Sequence, residues 1–460
     1  MELSYLSPLL RPDLVDMLSA GDEAGVRAFF AALPPAITAD LLRDLPPADI
    51  WAALRTVEPD VQAETIAFLD LPLQEELVSL KERDGGISRD ELSRLIEAMS
   101  SDDRADLLAR LKPSKVEALL PLVKKAERAD IRRLLSYPDD SAGSVMSTEY
   151  ASLSPDLSVA EAIARLRLLA PSRETIYYVY VVDEDRRLLG FISLRDLILD
   201  DPSARLGDVM NRGVISARVS DDREEVARDL TRYDFIALPV VDDQNRLVGI
   251  VTYDDAADVL EEEATQDAQR QAAVAPLEDG YLQTPLLELA WKRGIWLVIL
   301  LFAAFLTAGV LKMYEGGDAG GWMVMFIPLV LASGGNAGSQ SATLVIRTLA
   351  IEDSTGRDEP LARRITVKEI SVGAILGLSL AALSFGVAQV LVDTTGKATT
   401  VALTVLMVVM IGTILGALLP IGFRRLGVDP ALMSNPLIAA LVDVLGVVIY
   451  YQTALAIVGT

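Results

Sequence analysis

Beyond residue 290 the chain contains five apolar stretches that are each long enough to cross a lipid bilayer. About 20 consecutive, mostly apolar residues span the hydrocarbon core as a helix. The stretches predict five membrane-spanning helices, and the longer second and third ones either tilt or extend beyond the bilayer. The predicted spans lie near residues 294–313, 322–349, 368–392, 399–423 and 435–458.

Charge separates this apolar part from the rest of the chain. Residues 291–460 carry 11 Lys and Arg and 10 Asp and Glu, whereas residues 1–290 carry 31 and 56, a net charge of −25. The first part is therefore expected to be an acidic, soluble body whose surface is either simply solvated or attracts cations. Phosphates would be repelled by it, which disfavours nucleic-acid binding.

The chain contains no His and no Cys. A bound metal ion must therefore use oxygen ligands, which favours hard cations such as Mg²⁺, Ca²⁺ or Mn²⁺. The N-terminus has no basic start followed by an apolar core, so no signal peptide is expected. Nine Lys and Arg residues lie in the predicted loops on one side of the spans and two on the other. The positive-inside rule then places the N-terminus in the cytoplasm and the C-terminus outside.

Four segments are predicted along the chain. Residues 1–138 have Leu and Ile at spacings of three and four between prolines, which predicts short helices in series that form a small superhelical domain. Residues 139–253 have the pattern of a duplicated α/β unit. Residues 254–290 are rich in helix formers and acids and predict a connecting helix. Residues 291–460 form the predicted five-helix, all-α transmembrane domain.

The duplicated unit repeats helix, strand, acidic turn, strand and helix. Gly190 matches Gly249 at a spacing of 59 residues, and Met146 matches Met210 in the segments that precede the strands. Acidic turns between β-branched runs predict hairpins.

This repeat resembles a tandem pair of cystathionine-β-synthase (CBS) domains. The resemblance includes a small polar residue followed three positions later by an acid, at Ser193 and Asp196 and again at Thr252 and Asp255. Such pairs commonly sense adenosine nucleotides or ions. The resemblance therefore implies a nucleotide site, for ATP or another adenosine nucleotide, at Asp196, Thr252 and Asp255.

The fifth span carries one carboxylate, Asp443, in an otherwise apolar segment. Asn435 and Pro436 are typical of an N-cap and a first helical residue, which places Asp443 roughly 10 Å into the helix. A carboxylate at that depth costs on the order of 3 kcal/mol or more unless it meets water, a partner or an ion. Away from their ends, the other predicted spans contain no Lys, Arg or His that could pair with it. A cation in a hydrated path is the favoured partner; the alternative is a protonated Asp443 bonded to a neighbouring helix.

Residues 328–347 of the second span are small and polar. Gly334 and Gly338 are typical of close helix packing, whereas Asn336 and Gln340, one helical turn apart, offer amide oxygens. Combined with the carboxylate of the fifth span, this segment predicts an oxygen-lined ion path.

Three features together resemble the MgtE family of magnesium channels: GGNAGSQSATLVIR (334–347), LGVDPALMSNPL (426–437) and the Asp443 helix. The order of the parts matches that family over nearly the full length. The resemblance implies a homodimeric, Mg²⁺-selective channel of the cell membrane whose cytosolic domains sense Mg²⁺ and close the pore. No enzyme is implied: a single buried acid has no partner acid or nucleophile, and no GxxxxGK[ST] phosphate loop is present.

The resemblance also assigns candidate Mg²⁺ ligands. The pore set is Asp443, Ala439, Asn435, Asn336 and Gly335. The connecting-helix set is Asp255, Asp258, Glu263 and Asp267, faced by Asp429 from the loop before the fifth span. The sensor set is Asp222, Glu224 and Asp234 in the second CBS copy, with Asp102 and Asp106 in the N-terminal domain. Gln266 stands where the family has an acid, which weakens one regulatory site.

Bare acidic surfaces that face each other repel, and divalent ions between them favour a closed arrangement. Because Mg²⁺ sheds water reluctantly, Asp443 is expected to hold a largely hydrated ion, with two copies facing across a dimer axis. Two other functions stay open. One is a coupled carrier of a divalent cation, in which Asp443 binds and releases a proton. The other is a non-conducting, membrane-tethered nucleotide sensor. For each lone acid, a solvated surface charge is the alternative.

Overall fold

The computed structural model describes residues 7–80, 83, 85–170, 174–277, 281, 284–313, 321–352 and 358–459. The chain divides into two compact units, Met1–Leu260 and Glu261–Thr460. The predicted fold class is confirmed: a helical N-terminal part, a duplicated α/β part and a helical part with five long apolar helices.

Short helices in series make up the N-terminal part of the first unit. Prolines at the first or second position begin five of them, where the missing N–H costs no intrahelical hydrogen bond. The buried Trp51 side chain links two of these helices by donating its indole N–H to the Leu77 carbonyl at 3.0 Å. The helices α1 to α10 are Ser7–Ala20, Glu23–Ala31, Pro35–Leu42, Pro47–Leu54, Pro59–Ala67, Leu71–Ser79, Arg89–Ala98, Ser101–Arg110, Pro113–Leu119 and Lys125–Leu134.

The duplicated part folds as two three-stranded sheets of the same topology. In each sheet the first strand is parallel to the second, and the second is antiparallel to the third. The predicted 59-residue repeat is in register, because Val181 pairs with Gly190 and Val240 pairs with Gly249. The strands β1 to β6 are Tyr150–Leu153, Thr175–Val182, Leu188–Ser193, Ala217–Arg218, Ala237–Val241 and Leu247–Thr252. The helices α11 to α14 are Val159–Leu169, Leu194–Leu199, Leu206–Val209 and Arg223–Arg232.

The two copies exchange backbone pairing. Ser147, which precedes the first sheet, exchanges two hydrogen bonds of 2.8 Å with Ile250 in the third strand of the second sheet. Asn211, which precedes the second sheet, does the same with Phe191 of the first sheet, at 2.8 and 3.0 Å. The segment that leads into each copy therefore extends the sheet of the other copy.

The matched glycines and methionines of the repeat lie at these exchange points. A Cβ built on Gly249 would stand 2.5 Å from Met146 Sδ, and one on Gly190 would stand 2.7 Å from Met210 Sδ. A side chain at either glycine would displace the methionine packed against it, so both copies have a glycine in this contact.

A helix of 19 residues, α15 (Tyr253–Gln271), follows the second sheet and ends well before residue 290. Five longer helices follow, and all five are long and apolar enough to cross a membrane. Several begin before the predicted spans, because helices continue as charged turns beyond the apolar run from which a span is recognised. The helices α16 to α20 are Leu286–Met313, Trp322–Glu352, Asp358–Leu391, Thr395–Arg425 and Asn435–Val458.

The start of α20 differs from the predicted cap. Ser434 is the N-cap residue, Asn435 is the first helical residue, and Pro436 follows inside the first turn. The predicted N-cap at Asn435 is wrong because the side chain of Asn435 bonds a neighbouring helix rather than its own backbone. Pro436 still occupies a position where its missing N–H is tolerated.

The centre of the second unit is α19, which packs against α17, α18 and α20. Glycines make the closest approach possible. A Cβ built on Gly416 would lie 2.3 Å from the carbonyl oxygen of Gly338, and one on Gly412 would lie 2.5 Å from that of Gly334. Small-residue contacts of this kind are typical of helix packing in membranes. The predicted packing role of Gly334 and Gly338 therefore coexists with the polar residues on another side of α17.

Candidate functional site

The first candidate site lies where α17 meets α20. A Cβ built on Gly335 would stand 3.3 Å from the Cβ of Ala439 and 3.7 Å from Oδ1 of Asp443. Three of the predicted pore residues are therefore brought together, and the absent side chain of Gly335 leaves space beside the carboxylate.

The same contact continues towards the start of α20 through hydroxyl groups. Ser339 Oγ donates to the main-chain oxygen of Asn435 at 3.1 Å. The Asn435 side chain exchanges hydrogen bonds with Thr343 Oγ1, at 3.1 and 3.3 Å. Ser339 and Thr343 were not among the predicted site residues. A signal for them exists in the sequence, because Gly335, Ser339 and Thr343 recur at a spacing of four on one face of a helix.

On α20 the matching residues are Asn435, Ala439 and Asp443, again four apart. These two rows of small and polar residues form what we call the α17–α20 stripe: Gly335, Ser339 and Thr343 on α17, with Asn435, Ala439 and Asp443 on α20. Asp443 is half-buried at one end of it. Over the described residues Asp443 forms no ion pair and accepts no hydrogen bond, so nothing there neutralises its charge.

The two amide side chains predicted beside this path have different surroundings. Asn336 is exposed next to Gly335. Gln340 lines a cavity bordered by α17, α18 and α19. Positions 336 and 340 each follow a stripe residue by one position along α17. That both amides line one ion path stays a prediction.

The second candidate site is a group of carboxylates in the first unit. Asp102, on α8, is only 8% exposed, and its Oδ1 has no hydrogen-bond partner. Burial, followed by the neighbouring Asp103 carboxylate, raises the pKa of Asp102. Burial also raises the pKa of Asp103, although Ser100 Oγ donates a hydrogen bond to it at 2.6 Å. A buried acceptor with no donor is a position that a cation could occupy.

Two further acids face Asp102. Burial and then the charge of Asp102 raise the pKa of Asp255, which accepts a hydrogen bond from the Thr252 hydroxyl. Glu174 is exposed by its accessible surface. Nearby protein atoms still desolvate its carboxylate in part, and this desolvation, followed by the charges of Asp102 and Glu149, raises the pKa of Glu174 to about 8. We call Asp102, Asp103, Glu174 and Asp255 the acidic cluster.

Asp103 and Glu174 are not among the site residues that the sequence predicts. Asp103 adjoins Asp102, and the predicted partner one turn away, Asp106, instead lies on the exposed side of α8. Glu174 directly precedes β2 and carries no motif. Only the tertiary fold brings it to the cluster.

The other predicted sensor acids have local partners. Asp222 caps α14 by accepting hydrogen bonds from the backbone N–H groups of Glu224 and Glu225. The Glu224 side chain pairs with Arg228. Asp234 has a positive φ of 53° in the turn after α14, where Asp is tolerated. A Mg²⁺ role for these three residues stays a prediction.

The two small-polar-x-x-acid steps are helix starts. Ser193 Oγ donates to Asp196 at 2.7 Å and accepts from the Asp196 backbone N–H at 3.0 Å, which caps α12. Thr252 and Asp255 repeat the side-chain bond at the start of α15. This capping accounts for the motif, and a nucleotide contact at Asp196, Thr252 and Asp255 stays a prediction.

Within the second unit, Asp429 already has a cation. Arg270 Nη1 donates to its Oδ2 at 2.9 Å, and the same guanidinium bonds Gln266 at 3.1 Å and lies 3.8 Å from Asp267. Asp258 is exposed and Glu263 half-buried on the same helix. Across the described part of the chain, no three acidic side chains already form a metal-binding group.

Three family models match the chain. The model for a divalent cation transporter, MgtE, matches residues 327–453, and the model for the MgtE intracellular N domain matches residues 33–140. The CBS domain model matches twice, at residues 142–200 and 206–262.

Two solved structures resemble a little over half of this chain. The soluble part of a magnesium transporter is 32% identical, with a TM-score of 0.51, and covers 56% of this chain and 99% of that chain. The cytosolic domain of the Mg²⁺ channel MgtE in complex with ATP is 37% identical, with a TM-score of 0.50, and covers 54% and 99%.

Similarity to characterised relatives extends over both units. The magnesium transporter MgtE of Thermus thermophilus is 42% identical over 364 residues, which is 77% of this chain and 79% of the relative. The magnesium transporter MgtE of Bacillus subtilis is 33% identical over 462 residues, 99% of this chain and 98% of the relative. The chain is thus a multi-pass membrane protein that transports Mg²⁺, and it belongs to the MgtE family of magnesium transporters.

Proposed function

We propose that the protein is a homodimeric Mg²⁺ channel of the cell membrane in which hydrated Mg²⁺ passes Asp443 on the α17–α20 stripe. The observation that carries the proposal is the unpaired carboxylate at one end of a row of small and hydroxyl-bearing residues. An isolated charge is expensive in a membrane-spanning helix unless water or an ion reaches it. The alternative of a protonated Asp443 bonded to a neighbouring helix finds no such bond among the described residues.

The chemistry of the stripe fits Mg²⁺ with its water shell. Ser339, Thr343 and Asn435 offer oxygens that hydrogen-bond to water, and one carboxylate supplies the charge. Mg²⁺ prefers oxygen ligands and usually keeps several waters, so few direct ligands are needed. We propose that the N-terminus is cytoplasmic and the C-terminus outside, from the excess of Lys and Arg on one side of the spans.

Flux into liposomes tests this proposal. Purified protein is reconstituted into liposomes that contain a Mg²⁺-sensitive dye. A membrane potential and a pH gradient are imposed in separate experiments. A channel should respond to an inside-negative potential and not to the pH gradient, because only the charge of the ion is coupled to the field. Uptake driven by the pH gradient without voltage dependence would favour the coupled carrier. ATP binding with no flux of any divalent ion would favour the non-conducting sensor.

We further propose that the acidic cluster of the first unit is a regulatory Mg²⁺ site whose occupation closes the channel. The unpartnered Oδ1 of Asp102 supports this proposal, as do the pKa values of Asp102 and Asp255, which burial and neighbouring carboxylates raise. A divalent cation would supply it. Asp429 fits this role less well, because Arg270 already neutralises it.

Stability at low Mg²⁺ should depend on pH through this cluster. An acid whose folded pKa is raised stabilises the fold below its unfolded pKa, and that contribution is lost as the pH rises through the folded pKa. For Glu174 the window runs from its ordinary value near 4.5 up to about 8. In chelator, the first unit of the full-length protein should therefore become easier to unfold across this window. Mg²⁺ should stabilise it much more at about pH 8 than at about pH 5.

Hydrogen exchange of peptides from α8 and α15 in the purified full chain is a direct measurement. The paired substitution Glu174→Gln and Asp255→Asn should remove most of the pH dependence and most of the Mg²⁺ protection. Glu184→Gln, at an exposed acid of the first CBS hairpin, is the matched control and should keep both. Equal Mg²⁺ protection at both pH values would contradict the assignment.

A further inference from the structure

A cavity of about 410 Å³ lies within the second unit, bordered by α17, α18 and α19. It lies on the side of α17 that faces away from the stripe, since Gln340 and Ser341 line it whereas Ser339 bonds α20. The transport path described above does not use this cavity.

Two of the three charged residues in its lining are positively charged. Arg364 and Lys368, one turn apart on α18, both line the cavity and are exposed. Within the described residues neither forms an ion pair. The acid in the lining, Glu369, is bonded by Ser341 Oγ at 2.8 Å, which also donates to the Thr413 carbonyl at 2.9 Å. The two cations are therefore the groups left to attract a ligand.

Apolar side chains of the lining form an open wall. Leu344 is 64% exposed, Leu376 is 39% exposed and Val372 is 36% exposed. These three side chains belong to helices that are long and apolar enough to cross a membrane. The cavity thus combines a cationic end with an apolar wall in one continuous lining.

The cationic end lies at the membrane face that is rich in basic residues. The C-terminal end of α17 carries Arg347, and the C-terminal end of α19 carries Arg424 and Arg425. Arg364 belongs to the beginning of α18, which is the same end of the helix bundle because α17 leads into α18. Lys and Arg near helix ends extend towards the headgroup region, where lipid phosphates lie.

We propose that this cavity binds an anionic phospholipid, with its phosphate at Arg364 and Lys368 and an acyl chain along Leu344, Val372 and Leu376. Basic pockets between membrane helices on the positively charged side are suited to acidic headgroups. A soluble phosphate would satisfy the two cations but would leave the apolar wall uncovered. A bound lipid would fill the space between α17 and α18, which have few direct contacts with each other, and so would stabilise α17.

The test uses the full-length protein, delipidated in detergent and titrated with phosphatidylglycerol or phosphatidylcholine. Bound lipid is counted by native mass spectrometry, and the unfolding temperature is measured in parallel. We expect phosphatidylglycerol to be retained and to raise the unfolding temperature, and phosphatidylcholine to do neither. The paired substitution Arg364→Gln and Lys368→Gln should weaken phosphatidylglycerol binding at least about tenfold, since each basic residue near an anionic surface contributes roughly 1 kcal/mol.

The matched control is the pair Arg347→Gln and Arg363→Gln. It removes two exposed positive charges from the same end of the bundle without touching the cavity lining, and it should keep phosphatidylglycerol binding. Equal weakening by both pairs would show a general surface attraction and overturn the site. The same stabilisation by inorganic phosphate would also overturn it in favour of a soluble anion. A third contrary result would be that phosphatidylglycerol is retained by the monomer and lost from the dimer. That result would identify a second copy of the chain as the occupant of the cavity.

Discussion

Asp443→Asn should reduce Mg²⁺ flux by at least an order of magnitude while the protein still folds. The substitution keeps the shape of the side chain and removes its charge. A charge a few ångströms from an ion in a partly buried site is worth on the order of a few kcal/mol, which is enough for such a loss. The variant should be as stable as the parent or more so, because it no longer holds an unpaired carboxylate in a membrane helix.

The measurement is dye-reported Mg²⁺ uptake into liposomes, with the unfolding temperature recorded on the same preparation. Asp393→Asn is the matched control. Asp393 belongs to the loop between α18 and α19, where its side chain is 73% exposed and paired with Lys397. Exposed ion pairs of this kind contribute little to stability. The control variant should therefore fold and transport Mg²⁺ normally. Normal uptake by the Asp443 variant would remove the basis for a path along the stripe.

Gly416→Ala should have the largest effect on stability among conservative changes in the second unit. Its new Cβ would lie 2.3 Å from the carbonyl oxygen of Gly338 and 2.9 Å from Ser341 Cβ, so backbone atoms must move. Overpacking in a well-packed core costs about 1–3 kcal/mol. The displaced element is α17, which carries Gly335, so we expect reduced Mg²⁺ flux together with a lower unfolding temperature.

Gly386→Ala on α18 is the control, since a Cβ at that position meets no atom within 4 Å. It should leave both the unfolding temperature and flux unchanged. If Gly416→Ala were as stable and as active as Gly386→Ala, the close α17–α19 contact would be wrong.

The number and order of the elements follow from local patterns. The apolar runs identify five long helices because a bilayer span needs a fixed length of hydrocarbon-compatible chain. Most of the prolines between the apolar runs of the N-terminal part mark helix starts, because their missing N–H costs no intrahelical hydrogen bond in the first turn. The cap of α20 was not predictable from local pattern: the N-cap residue is Ser434 rather than Asn435, whose side chain bonds Thr343 on another helix.

Candidate site residues were predictable from the sequence where a single element carries them. Asp443 and Gly335 are conspicuous in their own helices, and both lie on the stripe. Glu174 was not predictable, because its place beside Asp102 depends on how a strand start and a distant helix meet. Arg270 was also missed as the partner of Asp429, 159 residues away. Local spacing does not encode such pairings.

The backbone pairing that the two copies of the duplicated part exchange determines how that part unfolds. Each half supplies a backbone segment that pairs with the sheet of the other half and a methionine that packs against its glycine. Neither half is therefore expected to fold independently. Loss of the Ser147–Ile250 pairing on one side would expose an unpaired edge and an unfilled hollow at Gly249. We therefore expect residues 139–253 to melt in one cooperative step. Any ligand that binds one half would then stabilise the other half without contacting it.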